Sequence, residues 1–226
     1  MSNWFVSPKE GARLILDKYS EVTLLDYFES FAWGGASHEE SLSTRLQLYA
    51  NVEDATSWSP EETVSYFNRI KMWGFNNAEI DSGLVSDQSF VDAAVSLLHG
   101  WLPTSNSAAL RSQSLLDLMQ FPKMGIATVS KFTAMVDPQY AAIYDSRVSL
   151  ALRDLESNGK RLFPTVGRRS TAQKKYPAAD YITAKKDKKD LVEFYLWYLD
   201  VLSEVTDLTH FSKNSDVEMA LFMIGA

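Results

Sequence analysis

Asp145 stands directly before Ser146-Arg147-Val148, where a helical pattern begins, so it occupies an N-cap position. Helix amides and the local dipole hold a carboxylate ionised there at neutral pH. A fixed anion of that kind can stabilise developing positive charge, or orient and deprotonate a water. Upstream, Phe121-Pro122-Lys123-Met124-Gly125 joins two helical patterns, Ser107–Gln120 and Thr128–Val136. Such a hairpin leaves backbone N–H groups unpaired at the start of its second helix, so Met124, Gly125 and Ala127 can present donors to an anion such as phosphate. Gly125 permits close backbone approach and Lys123 adds a cation. Arg147 suits phosphate through its permanent charge and forked donors. Each feature also has a plainer reading: a cap, an ordinary αα-hairpin, a solvent salt bridge.

Absences narrow the chemistry. The 226 residues contain no cysteine, which removes disulfides, thiolate metal sites and cysteine nucleophiles. His38, His99 and His210 are too scattered to suggest a metal site, and none is expected. A hydrophobic content of 46% and an aromatic content of 12% argue for a folded core. No apolar run is long enough to span a bilayer and the start does not read as a signal peptide, so a cytoplasmic monomer without a membrane partner is expected. The net charge of −7 hides an asymmetry. Between Lys160 and Lys189, ten basic residues, among them Arg168 and Arg169, face only Asp180 and Asp187, giving +8 and leaving −15 on the remainder. A basic stripe on an acidic body fits phosphate binding, and equally a solvated lysine-rich loop.

The elements that must position these groups read as helices. Ser7-Pro8-Lys9-Glu10 and Ser59-Pro60-Glu61-Glu62 are capping boxes with proline at the first helical position. They open helices to about Tyr19 and to a stop at Gly74. A third helix carries Phe90, Ala93, Ala94 and Leu97 and closes at Gly100. Ser107–Gln120 and Thr128–Val136 follow, then Ser146 to about Glu156. Leu191, Phe194, Tyr195, Tyr198, Leu199 and Leu202 mark a strongly amphipathic helix, and Ser215-Asp216-Val217-Glu218 caps a last one. Strand alternation is almost absent. An all-α single domain over 1–226 is expected, with irregular segments at Ala32–Trp58 and from Lys160 to about Tyr181.

The run from Leu115 to Leu152 resembles the helix-hairpin-helix DNA glycosylase superfamily, more closely its 8-oxoguanine-glycosylase-like bacterial branch. The hairpin motif falls at about 107–136, the loop carrying the catalytic Asp at 137–147, and the basic segment at 160–189. Glu218-Met219-Ala220-Leu221-Phe222 is similar to the end of short bacterial members. The resemblance implies DNA as partner and Asp145 as the catalytic carboxylate, stabilising an oxocarbenium-like sugar as a base departs. It also implies a DNA-facing set of Lys123, Met124, Gly125, Ala127, Lys131, Arg147, Arg168 and Arg169. No organic cofactor is implied, though the hairpin carbonyls of relatives hold a monovalent cation. Lys123 replaces the usual first glycine of the hairpin. Bifunctional relatives carry a lysine nucleophile where Ala127 stands, so the resemblance implies monofunctional hydrolysis. Lys131, one turn further on the same face, is read as a surface or phosphate-facing lysine, with a lyase through Lys131 or Lys123 as the alternative.

A base in duplex DNA must be flipped out before its glycosidic bond can be reached, and aromatic faces must receive it. Trp33-Gly34-Gly35 and Trp73-Gly74-Phe75 combine rings with glycine freedom, as a base pocket or as core. Trp101, Tyr195, Trp197 and Tyr198 read as core, and Gln139 and Tyr140 as a wedge or clamp. No residue names the base: oxidised guanine, alkylated bases and hypermodified phage bases, the last as antiviral defence, all fit. A non-catalytic sensor of DNA or of a modified base is the competing class, followed by an acidic helical interaction domain with no DNA affinity.

Overall fold

The computed structural model describes residues 6–166 and 187–226, apart from 51, 53 and 106. Eleven α-helices lie among the described residues: α1 Pro8–Lys18, α2 Glu21–Glu29, α3 His38–Ala50, α4 Pro60–Gly74, α5 Ser82–Val85, α6 Gln88–Trp101, α7 Ala108–Met119, α8 Ile126–Val136, α9 Ser146–Leu152, α10 Lys188–Leu208 and α11 Asn214–Ile224. The all-α expectation holds. The one sheet is a two-residue antiparallel pair, β1 Glu156–Ser157 with β2 Lys160–Arg161, turned by Asn158 and Gly159 with positive φ.

Caps decide most boundaries. Ser7 Oγ accepts the Glu10 amide at α1, and Ser59 and Glu62 form a reciprocal capping box at α4. Asp87, Ser107 and Asp187 cap α6, α7 and α10. The segment read as irregular, Ala32–Trp58, instead contains α3. Its start is fixed by another reciprocal box, in which Ser37 Oγ accepts the Glu40 amide at 3.2 Å and Glu40 Oε2 accepts the Ser37 amide at 2.8 Å. Two helix ends are also corrected. The helix α6 runs through Gly100 to Trp101, and a Cβ at Gly100 would lie 3.1 Å from Ser114 Oγ of α7, so this glycine serves a close helix crossing. Helix α9 ends at Leu152, short of the expected Glu156, where the chain turns into the β pair.

Helix α8 is the axis of the fold. Every residue from Thr128 to Val136 is buried, because α3, α4, α6, α7 and α10 surround it. The long α10 runs beside α1 and α7, while α11 packs against α2 and α9. Apolar residues from Ala12 on α1 to Phe222 on α11 join one core. No helix among the described residues is long and apolar enough to cross a membrane.

The connection between α8 and α9 is buried, so its polar backbone needs partners. Ser130 Oγ accepts the Tyr144 amide at 3.1 Å. The Tyr195 hydroxyl donates to the Ala142 carbonyl at 2.8 Å, and the Tyr198 hydroxyl to that of Ile143 at 3.2 Å. Burial holds both phenols well above the usual tyrosine range, so they stay protonated donors. Asn214 Nδ2 donates to the carbonyls of Tyr140 and Leu199. Three helices thus fix the loop that delivers Asp145.

Candidate functional site

Asp145 caps α9 as expected. Its Oδ1 accepts the amides of Arg147 at 3.0 Å and Val148 at 3.3 Å. Its Oδ2 accepts from Lys131 Nζ at 3.1 Å. The side chains of Lys131 and Asp145 retain only 2% and 12% of their exposure, so the carboxylate faces a buried amine and keeps a narrow open edge. Lys131 is therefore not the surface or phosphate-facing lysine of the sequence reading. The helix it sits on has no solvent face, and its side chain runs inward to an anion.

The room for that lysine comes from Gly74, where a Cβ would stand 2.5 Å from Lys131 Cδ and 2.9 Å from Cε. Above the amine lie two rings. Lys131 Nζ is 5.7 Å from the Trp33 centroid and 4.9 Å from that of Phe75, both within cation–π reach. Trp33 stacks on Trp73 at 4.9 Å and 24° and donates its indole N–H to the Trp73 carbonyl at 3.0 Å. Trp33 also meets Phe222 of α11 at 4.8 Å. The two tryptophans singled out in the sequence thus share one place, stacked on each other, with Trp33 partly buried over the Lys131 ammonium. Both flanking turns are left-handed, at Gly34 and Gly35 and at Asn76 and Asn77.

A second buried ion pair lies close enough to feel the charges of the first. Arg45 Nη2 and Glu218 Oε2 are 2.7 Å apart, with side-chain exposures of 8% and 1%. Burial pushes the Glu218 carboxyl up, and the Arg45 charge pulls it back. The charges of Asp145 and Lys131 also reach Glu218. The sequence reading assigned no role to Arg45, which fell in the segment taken as irregular. Glu218 did leave a signal, as a lone acid within the apolar run Val217-Glu218-Met219-Ala220-Leu221-Phe222.

The turn between α7 and α8 carries a lysine at its left-handed position. Lys123 adopts φ +63°, the left-handed conformation a glycine would take most easily. Its ammonium is exposed and 3.8 Å from Asp81. Gly125 caps α8 with no side-chain bond, and a Cβ there would meet nothing within 4 Å, so its face is open. The first-turn amides of Ile126 and Ala127 have no intrahelical acceptor. The Met124 side chain is buried and its amide donates to the Phe121 carbonyl at 3.3 Å, so the sequence expectation of a Met124 contact to DNA has no free donor here. The Phe121 and Lys123 carbonyls accept from Met124 N–H and Thr128 Oγ1. Lys71, buried nearby, has its ammonium pushed down by burial and then by the Lys123 charge.

Arg147 is exposed and its guanidinium stacks 4.5 Å from the Phe222 centroid, on the same side of the molecule as the Asp145 edge. Gln139 and Tyr140 are tied into the fold, through Gln139 Nε2 to the Ser212 carbonyl and the Tyr140 hydroxyl to Asp200. Trp101, Tyr195, Trp197 and Tyr198 are core residues, as read. Arg168, Arg169 and most of the basic segment lie outside the described residues.

No family model matches the chain, and no curated protein and no solved structure matches it either.

Proposed function

We propose that the protein is a DNA N-glycosylase in which Asp145 stabilises positive charge on the deoxyribose while Lys131 supplies the nucleophile. The observation that carries this reading is the 3.1 Å contact between Lys131 Nζ and Asp145 Oδ2 in an almost dry setting. Ala127 argued for water as nucleophile because the family's lysine position is empty. Lys131, one turn later on the same face, brings an amine to the carboxylate by another route.

In this reading one Lys131 proton passes toward the departing base, and the freed lone pair bonds to C1′ as the C1′–N bond breaks, while Asp145 stays an anion beside the developing positive charge. The departing base keeps that electron pair and takes up a proton. The nitrogen then loses a further proton as O4′ leaves C1′ protonated, giving an iminium. The exposed hairpin amides, Lys123 and Arg147 supply phosphate contacts beside it. Trp33 and Phe75 must swing aside on their left-handed turns for the sugar to enter.

Borohydride reduction with lesion-bearing DNA tests the nucleophile. A covalent adduct that Lys131→Met abolishes supports the amine, whereas base release without an adduct returns the role to water held by Asp145. Mass spectrometry of bases freed from oxidised, alkylated and hypermodified phage DNA identifies the substrate and decides between repair and antiviral defence. DNA binding without release of any base makes the protein a sensor.

A further inference from the structure

We propose that Ser130 is the positioning residue of this site, a single hydroxyl that fixes how far Asp145 stands from Lys131. The inference rests on the reading of Lys131 and Asp145 as the reacting groups, although its distance measurement does not.

Two consecutive residues of α8 meet two consecutive residues of the loop that enters α9. Ser130 Oγ accepts the Tyr144 amide at 3.1 Å, and the next residue on each side makes the Lys131 Nζ–Asp145 Oδ2 contact, also at 3.1 Å. The two contacts close a small circuit, because Ser130 is bonded to Lys131 and Tyr144 to Asp145. A change in the first contact is passed to the second through a single residue on either side. Three other side chains hold this loop by its carbonyls: Asn214 that of Tyr140, Tyr195 that of Ala142 and Tyr198 that of Ile143. They tie it to α10 and α11. Of these four tethers, only the Ser130 bond ties the loop to the helix that carries Lys131.

The other freedoms of Asp145 are already removed. Its Oδ1 is held by the Arg147 and Val148 amides, so Oδ2 is the oxygen that faces the amine. The Tyr144 ring packs edge-on against Phe194 and Tyr198, each at 4.9 Å, and its hydroxyl donates to the Pro164 carbonyl. What remains is the gap between α8 and the backbone at Tyr144, and the Ser130 hydroxyl spans it. Packing alone does not call for a hydroxyl here. Ser130 is buried on a helix enclosed on all sides, where alanine would form helix better and bury no polar group. Without that oxygen the Tyr144 amide is a buried donor that has lost its acceptor, and the backbone before Asp145 must move to find another.

Crystal structures of the full chain and of Ser130→Ala test the distance. The Lys131–Asp145 contact should lengthen by about 1 Å or more, a misplacement that slows a reaction roughly 10²-fold. Single-turnover base release, from the DNA that mass spectrometry identifies as substrate, should slow by that factor. DNA affinity should stay within about threefold of wild type, because the loss falls on the reacting geometry and not on binding. Ser130→Cys keeps the volume with a weaker acceptor, so it should fall between the two, and it replaces Ser130→Ala if that variant does not fold. Thr133→Val is the comparison. It removes a buried hydroxyl one turn along α8 while the Tyr195 bond to Ala142 survives, so it should lower stability and leave contact and rate as they are. An unchanged contact in Ser130→Ala, or equal slowing by Thr133→Val, overturns the proposal. If the wild type frees no base, the glycosylase reading fails and the crystallographic distance alone decides the role of Ser130.

Discussion

Gly74 and Lys131 occupy one space: the last residue of α4 gives up its side chain so that the aliphatic stem of Lys131 can pass. A methyl group there would overlap Cδ at 2.5 Å, and the lysine is packed on its other sides by Trp33 and Phe75. Gly74→Ala must therefore push Nζ off Asp145 or shift α4 from α8. We expect a loss of about 1–3 kcal/mol in urea unfolding, together with loss of any borohydride-trapped adduct. Gly125→Ala is the control, because its added methyl meets nothing and its backbone is extended at φ −80°. It should change stability by less than about 0.5 kcal/mol.

Lys123→Gly separates stability from DNA affinity. The lysine holds φ +63° in a left-handed turn, with Asp81 at 3.8 Å across an exposed gap and the Lys71 ammonium near enough to feel its charge. Relief of the backbone cost exceeds the entropy glycine adds to the unfolded chain, so the variant should be more stable by a few tenths to about 1 kcal/mol. If Lys123 contacts a phosphate, the same variant should bind DNA more weakly, with the slope of log affinity against log salt shallower by about one. A slope unchanged from wild type would remove Lys123 from the DNA track.

How much of this was legible depended on whether a signal was local. Asp145 as a cap, the hairpin and most helix starts are written in neighbouring residues, and they were readable. The helix α3 was equally local, through Ser37 and Glu40, but the glycines before it obscured the box. The partnership of Lys131 with Asp145 was not readable. It depends on α8 being enclosed by five other helices, and nothing in Val129-Ser130-Lys131-Phe132 announces that a lysine there points inward. The meeting of Trp33, Trp73 and Phe222 likewise joins three distant segments. The Gly74 stop was correct in position, yet its reason lay across the helix interface.

Asp216 gives a pH dependence with a definite sign. It is buried in the first turn of α11, and burial raises its carboxyl above the ordinary value of 3.8, with Lys213 and Ser212 opposing. A carboxyl raised in the folded state binds its proton more tightly there than in the unfolded chain. Its contribution is therefore fully present below the unfolded value and is lost as pH rises through the folded one. Asp216→Asn should remove that loss. Between pH 4 and pH 7, urea midpoints of the variant should improve relative to wild type as pH increases. A constant difference across that range would mean that Asp216 titrates alike in both states.

Chemical protection tests the roof over the site directly. The Lys131 side chain is 2% exposed and the Lys123 side chain 72%, so a water-soluble acylating reagent should label Lys123 far faster in the folded protein. Mass spectrometry after limited labelling would rank them. Trp33→Ala removes one ring above the Lys131 ammonium, and with it the stack on Trp73 and the contact to Phe222. The variant should lose roughly 3–5 kcal/mol if the gap stays open, less if Phe75 collapses into it. In the variant, Lys131 labelling should rise toward the Lys123 rate while labelling of the other lysines stays constant. If Lys131 stays protected in a folded Trp33→Ala protein, the tryptophan is not its cover, and entry to Asp145 must come from the side of Arg147.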